Sequence, residues 1–209
     1  MSQVSENDIH EIVKRVVRLT LGSDSAASAP IQQEKTPLST PVTTVSDPVK
    51  DVPAQRVVAI GTDHGGVEMK NILIKDLTEM GYNVIDCGTN STEPVDYPDI
   101  AYAVALLVAQ GKAWRGVILD GAGIGSCMAA NKVQGIRAAL CYDYATAVNS
   151  REHNDANVLT LGAGLIGNNL ARQILKTWLA TEFGGGRHAK RVDKIMEIET
   201  KPYNDGMRK

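Results

Sequence analysis

Runs of consecutive apolar residues alternate along the chain with longer stretches in which apolar residues recur every three or four positions. A short apolar run bounded by turn residues is typical of a buried strand in a parallel sheet, and the recurring pattern is typical of an amphipathic helix. The predicted strands are residues 56–61, 82–87, 117–119, 136–141 and 157–161. Strands that alternate with helices predict an α/β fold with a doubly wound, Rossmann-like, five-stranded parallel sheet.

The predicted helices fall between and after these strands. In the first of them Met69, Leu73 and Leu77 share one face, and Gly81 ends it. Further helices are predicted over residues 99–110, after the glycines that follow the third strand, from about residue 143, and over residues 168–180 and 187–200. The folded domain is therefore expected to span residues 56–200, with residues 201–209 as a tail.

The first 55 residues have a different pattern. Residues 5–21 predict a short amphipathic helix, because Ile9, Ile12, Val13, Val16 and Val17 fall on one face and Gly22 stops it. Residues 23–55 hold five of the eight prolines, nine Ser or Thr and no glycine, which predicts a disordered linker. The helix is expected either to dock on its own domain or to bind a partner.

This arrangement of a short amphipathic helix on a Pro/Ser/Thr linker resembles the encapsulation peptides of enzymes packaged in bacterial microcompartments. The resemblance is one of pattern, and it covers residues 1–22 and their linker. It implies that residues 1–22 bind a microcompartment shell protein, and that the protein works in the cytoplasm, in the lumen of such a compartment.

Composition excludes several classes of function. The formal net charge of −2 gives no strong attraction to nucleic acid or to a membrane surface. No apolar run approaches the ~20 residues of a membrane span, and no signal-peptide pattern is present. The three cysteines have no metal-binding spacing, and their odd number suggests free thiols.

The strongest chemical signal is the glycine-rich stretch after the third strand, in which Gly121, Gly123 and Gly125 alternate with other residues. A strand, a glycine turn and a helix together aim backbone N–H groups at one point, where an anion or a developing oxyanion would sit. Asp120 stands at the carboxyl end of the strand beside that point. Two alternatives are a dinucleotide-binding turn, with Asp143 as the ribose-binding acid, and a tight turn with no ligand.

Other candidate residues lie in turns at the ends of predicted elements. Asp63 and His64 follow the first strand, and His153 and Asn154 precede the fifth. Each has a structural alternative: Asp63 can cap a helix, and the histidines can be satisfied polar residues in turns. For Tyr97 the structural alternative is packing within the protein rather than contact with a ligand.

Arg187 and Arg191 open the last predicted helix, four residues apart and so on one face. A guanidinium pair suits a phosphate group, although a solvated basic face is the alternative. Cys127, at a helix start, is interpreted as a small apolar filler rather than a nucleophile.

Taken together, the segments from about residue 56 to 199 resemble the ribose-5-phosphate isomerase B family, which includes the galactose-6-phosphate isomerase subunits. The matching segments are 61–66 (GTDHGG), 96–98 (DYP), 121–125 (GAGIG) with 129–132 (AANK), 151–158 (REHNDANV), and 185–188 (GGRH) with Arg191. The resemblance covers the whole predicted domain and none of the first 55 residues.

The resemblance implies an aldose–ketose isomerase that opens the sugar ring and moves a proton between C1 and C2 through a cis-enediolate, with no metal or cofactor. It implies a homodimer or a dimer of dimers whose active site is completed across a subunit interface. The implied roles are sugar binding by Asp63, Tyr97 and Asn154, phosphate binding by His64, Arg187 and Arg191, ring opening by His153, and enediolate stabilisation by the amides of Gly121, Gly123 and Gly125.

The sequence departs from the family at the reacting end. Asp120 stands where many members carry a cysteine base, and Ser126 where others carry a glutamate base. Ala122 replaces a Ser or Thr, and Gly164 replaces an arginine. The prediction is that Asp120 is the base, because a carboxylate can shuttle a proton as a thiolate can. The alternative is a non-catalytic relative that binds sugar phosphates.

Overall fold

In the computed structural model, which describes residues 56–201, a five-stranded sheet forms the centre of the domain. All its strands run parallel, in the order β2-β1-β3-β5-β4. The strands are β1 Val57–Thr62, β2 Asn83–Asp86, β3 Arg115–Asp120, β4 Ala138–Leu140 and β5 Val158–Gly162. The predicted fold class is confirmed.

Residues 56–201 contain six helices, and the first five cover the two faces of the sheet. The six helices are α1 Val67–Glu79, α2 Tyr97–Ala109, α3 Ile124–Ala130, α4 Tyr144–Glu152, α5 Asn168–Ala180 and α6 Ala189–Ile198, with a 3₁₀ turn at His64–Gly66 before α1. Within residues 56–201, no helix is both long and apolar enough to cross a membrane. The predicted helix at 1–22, the predicted linker at 23–55 and residues 202–209 of the predicted tail lie outside the described residues.

Two apolar cores, one on each face, hold the helices to the sheet. On one face, strand residues such as Ile60 and Leu119 pack with Leu73 of α1 and Trp178 of α5, all fully buried. On the other face, strand residues such as Ile118 pack with the buried side chains of α2. Side chains alternate between the two faces along each strand, so strands buried on both faces read as continuous apolar runs.

The structure corrects the boundaries of several predicted elements. Helix α2 begins at Tyr97, two residues before the predicted start, because Pro98 is tolerated in the first helical turn, where no N–H is needed. Strand β4 is shorter than predicted, because Ile136 donates its N–H into a turn, to the carbonyl of Val133.

Helix α6 begins at Ala189, so Arg187 precedes the helix and follows Gly185 and Gly186, which both have positive φ. The prediction that Arg187 and Arg191 share one helical face is therefore wrong.

The topology separates the domain into two edges. Each strand ends at the carboxyl edge of the sheet, and the following helix runs back to the amino edge. Two contacts show where α5 ends: the Arg115 guanidinium, at the start of β3, donates to the carbonyls of Trp178 and Leu179, each at 3.0 Å. The N–H of Gly184 then donates to the carbonyl of Glu152 at the end of α4. Residues 152–154 and 184–188 therefore lie together at the amino edge.

Candidate active site

Asp120 is the last residue of β3 and is 4% exposed. Its Oδ1 accepts hydrogen bonds from the backbone N–H of Ala122, at 2.8 Å, and of Gly123. Its Oδ2 accepts one from the N–H of Ser126 at 2.9 Å. The predicted amide cradle thus exists, but three of its N–H groups hold the side chain of Asp120. The amide of Gly123, which was predicted to face the enediolate, is one of the three.

Glycine is required in this loop because the loop lies against the end of β5. Gly123 has a φ of +76°, and a Cβ there would lie 2.8 Å from the carbonyl carbon of Leu161. A Cβ on Gly162 would lie 2.6 Å from the carbonyl oxygen of Ala122. Gly164 donates its N–H to the carbonyl of Gly121 at 2.9 Å. The backbone at Gly164 therefore supports the loop at the position where the family carries an arginine.

Tyr142 is a further support that the sequence did not reveal. Its hydroxyl donates to the carbonyl of Ala122 at 2.6 Å, from the segment that follows β4. The only sequence signal for it is its place just beyond the carboxyl end of a strand. This bond and the bonds to Asp120 fix the loop from opposite sides of its backbone.

The turn after β1 lies next to this loop. The N–H of Asp63 donates to the carbonyl of Leu119, which joins the ends of β1 and β3. The Oδ1 of Asp63 accepts a hydrogen bond from the N–H of Gly65 at 2.9 Å, so Asp63 caps the 3₁₀ turn. Capping was the structural alternative given for Asp63 in the sequence analysis. His64 is exposed at the start of that turn.

Tyr97 also belongs to the carboxyl edge. It is the first residue of α2 and is 40% exposed, and a Cβ on Gly125 would lie 2.5 Å from two of its ring carbons. The ring therefore covers the backbone of Gly125, which explains the glycine there. Asp63, His64, Tyr97 and Asp120 with its loop form one group, which we call the carboxyl-edge group.

The remaining predicted residues meet at the amino edge. His153 caps the end of α4, and its ring stacks on that of His188 with 4.2 Å between centroids and 2° between planes. The Nε of Arg187 donates to the Nε2 of His188 at 3.4 Å. Burial, and then the electrostatic influence of His153, Arg187 and Arg191, lower the pKa of His188. His153, Asn154, Arg187, His188 and Arg191 form the amino-edge group.

Partly buried ion pairs hold this second group. Asp155 has a φ of +48° and accepts from the Nη1 of Arg151 at 2.8 Å and from the Nη2 of Arg137 at 3.2 Å. Arg151 is 4% exposed and also donates to the carbonyl of Ala156 at 2.6 Å. The turn that carries His153 and Asn154 is therefore anchored on both sides.

The two groups lie at opposite ends of the sheet within one chain. Strand β5 has five residues, and at ~3.3 Å each it separates its two ends by roughly 15 Å. A sugar phosphate bound at one edge therefore cannot reach the other edge of the same chain. The structure brings the predicted residues together as two sets of neighbours and does not bring the two sets together.

The thiols of the described domain are poor candidates for chemistry. Cys127 is half-buried, its Sγ lies 3.4 Å from the carbonyl oxygen of Ala138, and burial raises its pKa. Burial raises the pKa of Cys87 to about 12. Among residues 56–201, no three His, Cys, Asp or Glu side chains are placed to hold a metal ion.

Residues 58–195 match the model of a family described as Ribose/Galactose Isomerase. The chain is 45% identical to ribose-5-phosphate isomerase B of Escherichia coli, over 68% of this chain and 95% of that protein. It is 45% identical to a D-erythrulose-4-phosphate isomerase of Pectobacterium atrosepticum, over 66% of this chain and 91% of the relative.

The structure superposes on that of Clostridium thermocellum ribose-5-phosphate isomerase B with a TM-score of 0.68 and 51% identity, covering 69% of this chain and 97% of the other. These matches cover the described domain almost entirely and fall on both edge groups. The chain belongs to the ribose/galactose isomerase family.

Proposed function

We propose that this protein interconverts an aldose phosphate and a ketose phosphate, of the ribose 5-phosphate and ribulose 5-phosphate type, by proton transfer through a cis-enediolate. The observation that supports this most is the fixed carboxylate of Asp120 at the carboxyl edge. A general base has to be held in one orientation beside the carbon that it deprotonates. Three amides hold this one.

Asp120 is the proposed base, and its Oδ2 is the reacting atom. A carboxylate oxygen has two lone pairs. Both lone pairs of Oδ1 face amides, whereas Oδ2 accepts from Ser126 alone and keeps one lone pair for a proton. Oδ2 removes the proton from C2 of the aldose and returns it to C1. Ser126 is fully buried, so its hydroxyl does not compete for this role.

The proposed stabilisation of the enediolate uses the amides of the same loop that do not face Asp120. Gly121 directly precedes the amides of Ala122 and Gly123 that Asp120 engages, and Gly125 lies between Gly123 and Ser126. Preorganised N–H groups aimed at a developing negative charge lower the barrier for such a step. Because Gly125 lies under the ring of Tyr97, the same ring is proposed to flank the bound sugar.

The amino-edge group is proposed to bind and open the sugar. His153 assists ring opening, Asn154 contacts the sugar, and Arg187 and Arg191 bind the phosphate. Two guanidinium groups suit a phosphate because each presents several donors in a planar fork. At the carboxyl edge, Asp63 is proposed to bind sugar hydroxyls and His64 to contact the phosphate.

Because the two groups lie at opposite edges, we infer that each active site combines the carboxyl edge of one chain with the amino edge of a second. The proposed assembly is a homodimer or a dimer of dimers. Large apolar side chains exposed by 46–64% surround the carboxyl edge, which supports a covering partner. They are Ile124, Met128, Tyr144 and Leu165. Analytical ultracentrifugation is expected to find no monomer at micromolar concentration.

A second proposal concerns residues 1–22, as a helix that binds a microcompartment shell protein and brings the enzyme into the lumen. It rests on the apolar stripe and on the Pro/Ser/Thr segment that follows. Fused to a fluorescent reporter, these residues are expected to direct it into co-expressed shells. Diffuse fluorescence that matches the reporter alone would contradict this.

The activity is tested with a panel of aldose phosphates in deuterated water. An isomerase that works through an enediolate incorporates solvent deuterium at C2 of the recovered aldose, and it forms the ketose. Calorimetry on the same panel measures binding. Binding of a sugar phosphate with neither turnover nor exchange would favour the non-catalytic relative.

A further inference from the structure

Asn149, one helical turn before His153, holds the ring of His153 through a hydrogen bond. The Nδ2 of Asn149 lies 2.8 Å from the Nδ1 of His153, and the N–H of His153 donates to the carbonyl of Asn149 at 2.9 Å. The backbone hydrogen bond fixes the position of the His153 backbone, and the side-chain hydrogen bond fixes the orientation of its ring. No sequence signal marked Asn149.

Several charged groups lie near the stacked rings of His153 and His188. His188 stacks on it, and the Nε2 of His188 accepts from Arg187, which favours the neutral form of that second ring. Glu152 Oε1 lies 3.9 Å from the Nε2 of His153, beyond hydrogen-bond range. Arg191 follows in the first turn of α6. Asn149 is therefore the group that hydrogen-bonds a ring nitrogen of His153.

The chemistry of that bond selects one tautomer. An amide nitrogen only donates, so the Nδ1 of His153 has to accept, and the hydrogen of the neutral ring then sits on Nε2. The contact therefore places the N–H donor of the neutral ring at Nε2.

We propose that Asn149 is a positioning residue that holds His153 as the neutral Nε2–H tautomer, with that N–H directed at the ring oxygen of the bound sugar. This rests on the proposed role of His153 in ring opening. Opening a cyclic sugar breaks the bond between C1 and the ring oxygen and turns the C1 hydroxyl into the aldehyde carbonyl, so O1 loses a proton and the ring oxygen gains one. A donor at the ring oxygen stabilises the negative charge that develops there. A substrate that is already open gains nothing from that donor. Asn149 thus tunes the enzyme towards substrates that cyclise.

The first test reads the tautomer directly and needs no activity. The full-length protein is labelled with ¹⁵N-histidine, and long-range ¹H–¹⁵N correlations are recorded at pH 7–8. The chain has four histidines, and the spectrum of His153→Gln identifies the signal of interest. The expected pattern is an Nε2–H tautomer in the unmodified protein and a mixture in Asn149→Leu. An Nδ1–H tautomer in the unmodified protein, or no change in Asn149→Leu, would overturn the proposal.

The second test separates ring opening from proton transfer. Ribose 5-phosphate closes to a furanose through O4, whereas D-erythrose 4-phosphate carries its phosphate on O4 and cannot. With ribose 5-phosphate, Asn149→Leu is expected to lower kcat roughly tenfold with little change in KM, a smaller loss than the ~10²-fold typical of removing an acid–base group. With erythrose 4-phosphate, kcat is expected to stay the same.

Two further variants sharpen the comparison. Asn149→Asp places an acceptor at the ring, moves the hydrogen to Nδ1 and is expected to lower kcat with ribose 5-phosphate further than Asn149→Leu. Asn71→Leu, an exposed asparagine of α1, is the matched control and is expected to leave both substrates unaffected. Equal losses on the two substrates would reduce Asn149 to a structural role and overturn the proposal. Should the unmodified protein turn over neither sugar, the proposed function fails, and the tautomer measurement still decides the role of Asn149.

Discussion

The two edges of the sheet are built in different ways. At the carboxyl edge, backbone amides hold the carboxylates of Asp63 and Asp120, so the geometry of these groups is set by the chain path itself. At the amino edge, a ring stack and a guanidinium contact between side chains hold the group of His153, His188 and Arg187. A rigid backbone frame suits proton transfer, which tolerates little displacement. Longer side chains suit the binding of a phosphate, which tolerates more.

The comparison also explains why one chain is insufficient. Each edge carries part of what the proposed reaction needs, because the proton-transfer group lies on one and the ring-opening histidine and the two phosphate-binding arginines lie on the other. Substitutions at the two edges are therefore expected to have distinct signatures. Substitution of Asp120 at the carboxyl edge lowers kcat, and substitutions at the amino edge weaken binding or slow ring opening.

The largest effect is expected at Asp120. Asp120→Asn removes the base and turns an amide N–H₂ towards backbone donors, so kcat with ribose 5-phosphate is expected to fall at least ~10²-fold, the lower end for general acid–base catalysis. KM changes little, because the amino edge is untouched. Steady-state kinetics and a thermal melt on the same sample separate lost chemistry from lost folding.

The control for Asp120 is Cys127→Ser, at the nearby thiol that contacts the carbonyl of Ala138. This variant is expected to keep most of the activity. Normal turnover by Asp120→Asn together with an inactive Cys127→Ser would identify the cysteine as the base and contradict the assignment of Asp120.

A smaller effect is expected at the phosphate. Arg187→Ala or Arg191→Ala is expected to weaken binding of a sugar phosphate by about 1.5–3 kcal/mol, the range for hydrogen bonds to charged groups. Isothermal titration calorimetry measures the dissociation constant, with the exposed neighbour Lys190→Ala as the control for charge alone. An unchanged dissociation constant in both arginine variants would contradict the proposal that the amino-edge group binds the phosphate.

The carboxyl edge also rests on a buried cation, and its loss is expected to affect stability more than chemistry. Lys70 is fully buried, and its Nζ donates to both oxygens of Asp86, at 2.7 and 2.8 Å, and to Asn90 at 2.7 Å. Breaking a buried pair costs about 3–5 kcal/mol, and the partial exposure of Asp86 places Lys70→Met near the lower end.

Urea denaturation measures the effect of Lys70→Met. The comparison is Lys75→Met, whose ion pair with Glu79 at 3.9 Å is exposed and contributes less than about 1 kcal/mol. Equal stabilities of the two variants would show that the buried pair does not brace β2 and the loop after it.

The sequence predicts the elements well because their apolar patterns are local. The five runs, the strand-and-glycine signal at Asp120 and the cap at Asp63 all follow from residues close together in the chain. The features that the sequence does not predict depend on contacts between segments that are distant in the chain. The bond from Tyr142 to the loop joins segments 20 residues apart. The stack of His153 on His188 depends on where α4 and α5 end.

Two of the predictions that the structure corrects differ for a local reason. The sequence predicts that Asp120 stands beside an amide cradle that receives an anion or an oxyanion, but its own side chain is short enough to turn back onto the amides two, three and six residues later. Arg187 was predicted to lie in a helix, but the two preceding glycines adopt positive φ and delay the helix to Ala189. In both cases the backbone conformation, rather than the residue pattern, decides the outcome.

The most direct test of a site shared between two chains is a mixed dimer. Asp120→Asn and His153→Ala chains, carrying different affinity tags, are co-expressed, and dimers with one chain of each kind are isolated by two affinity steps. In such a dimer one site has both edges intact and the other has both substitutions, so about half of the unmodified activity with ribose 5-phosphate is expected. Activity no higher than that of the two variants alone would contradict the shared site.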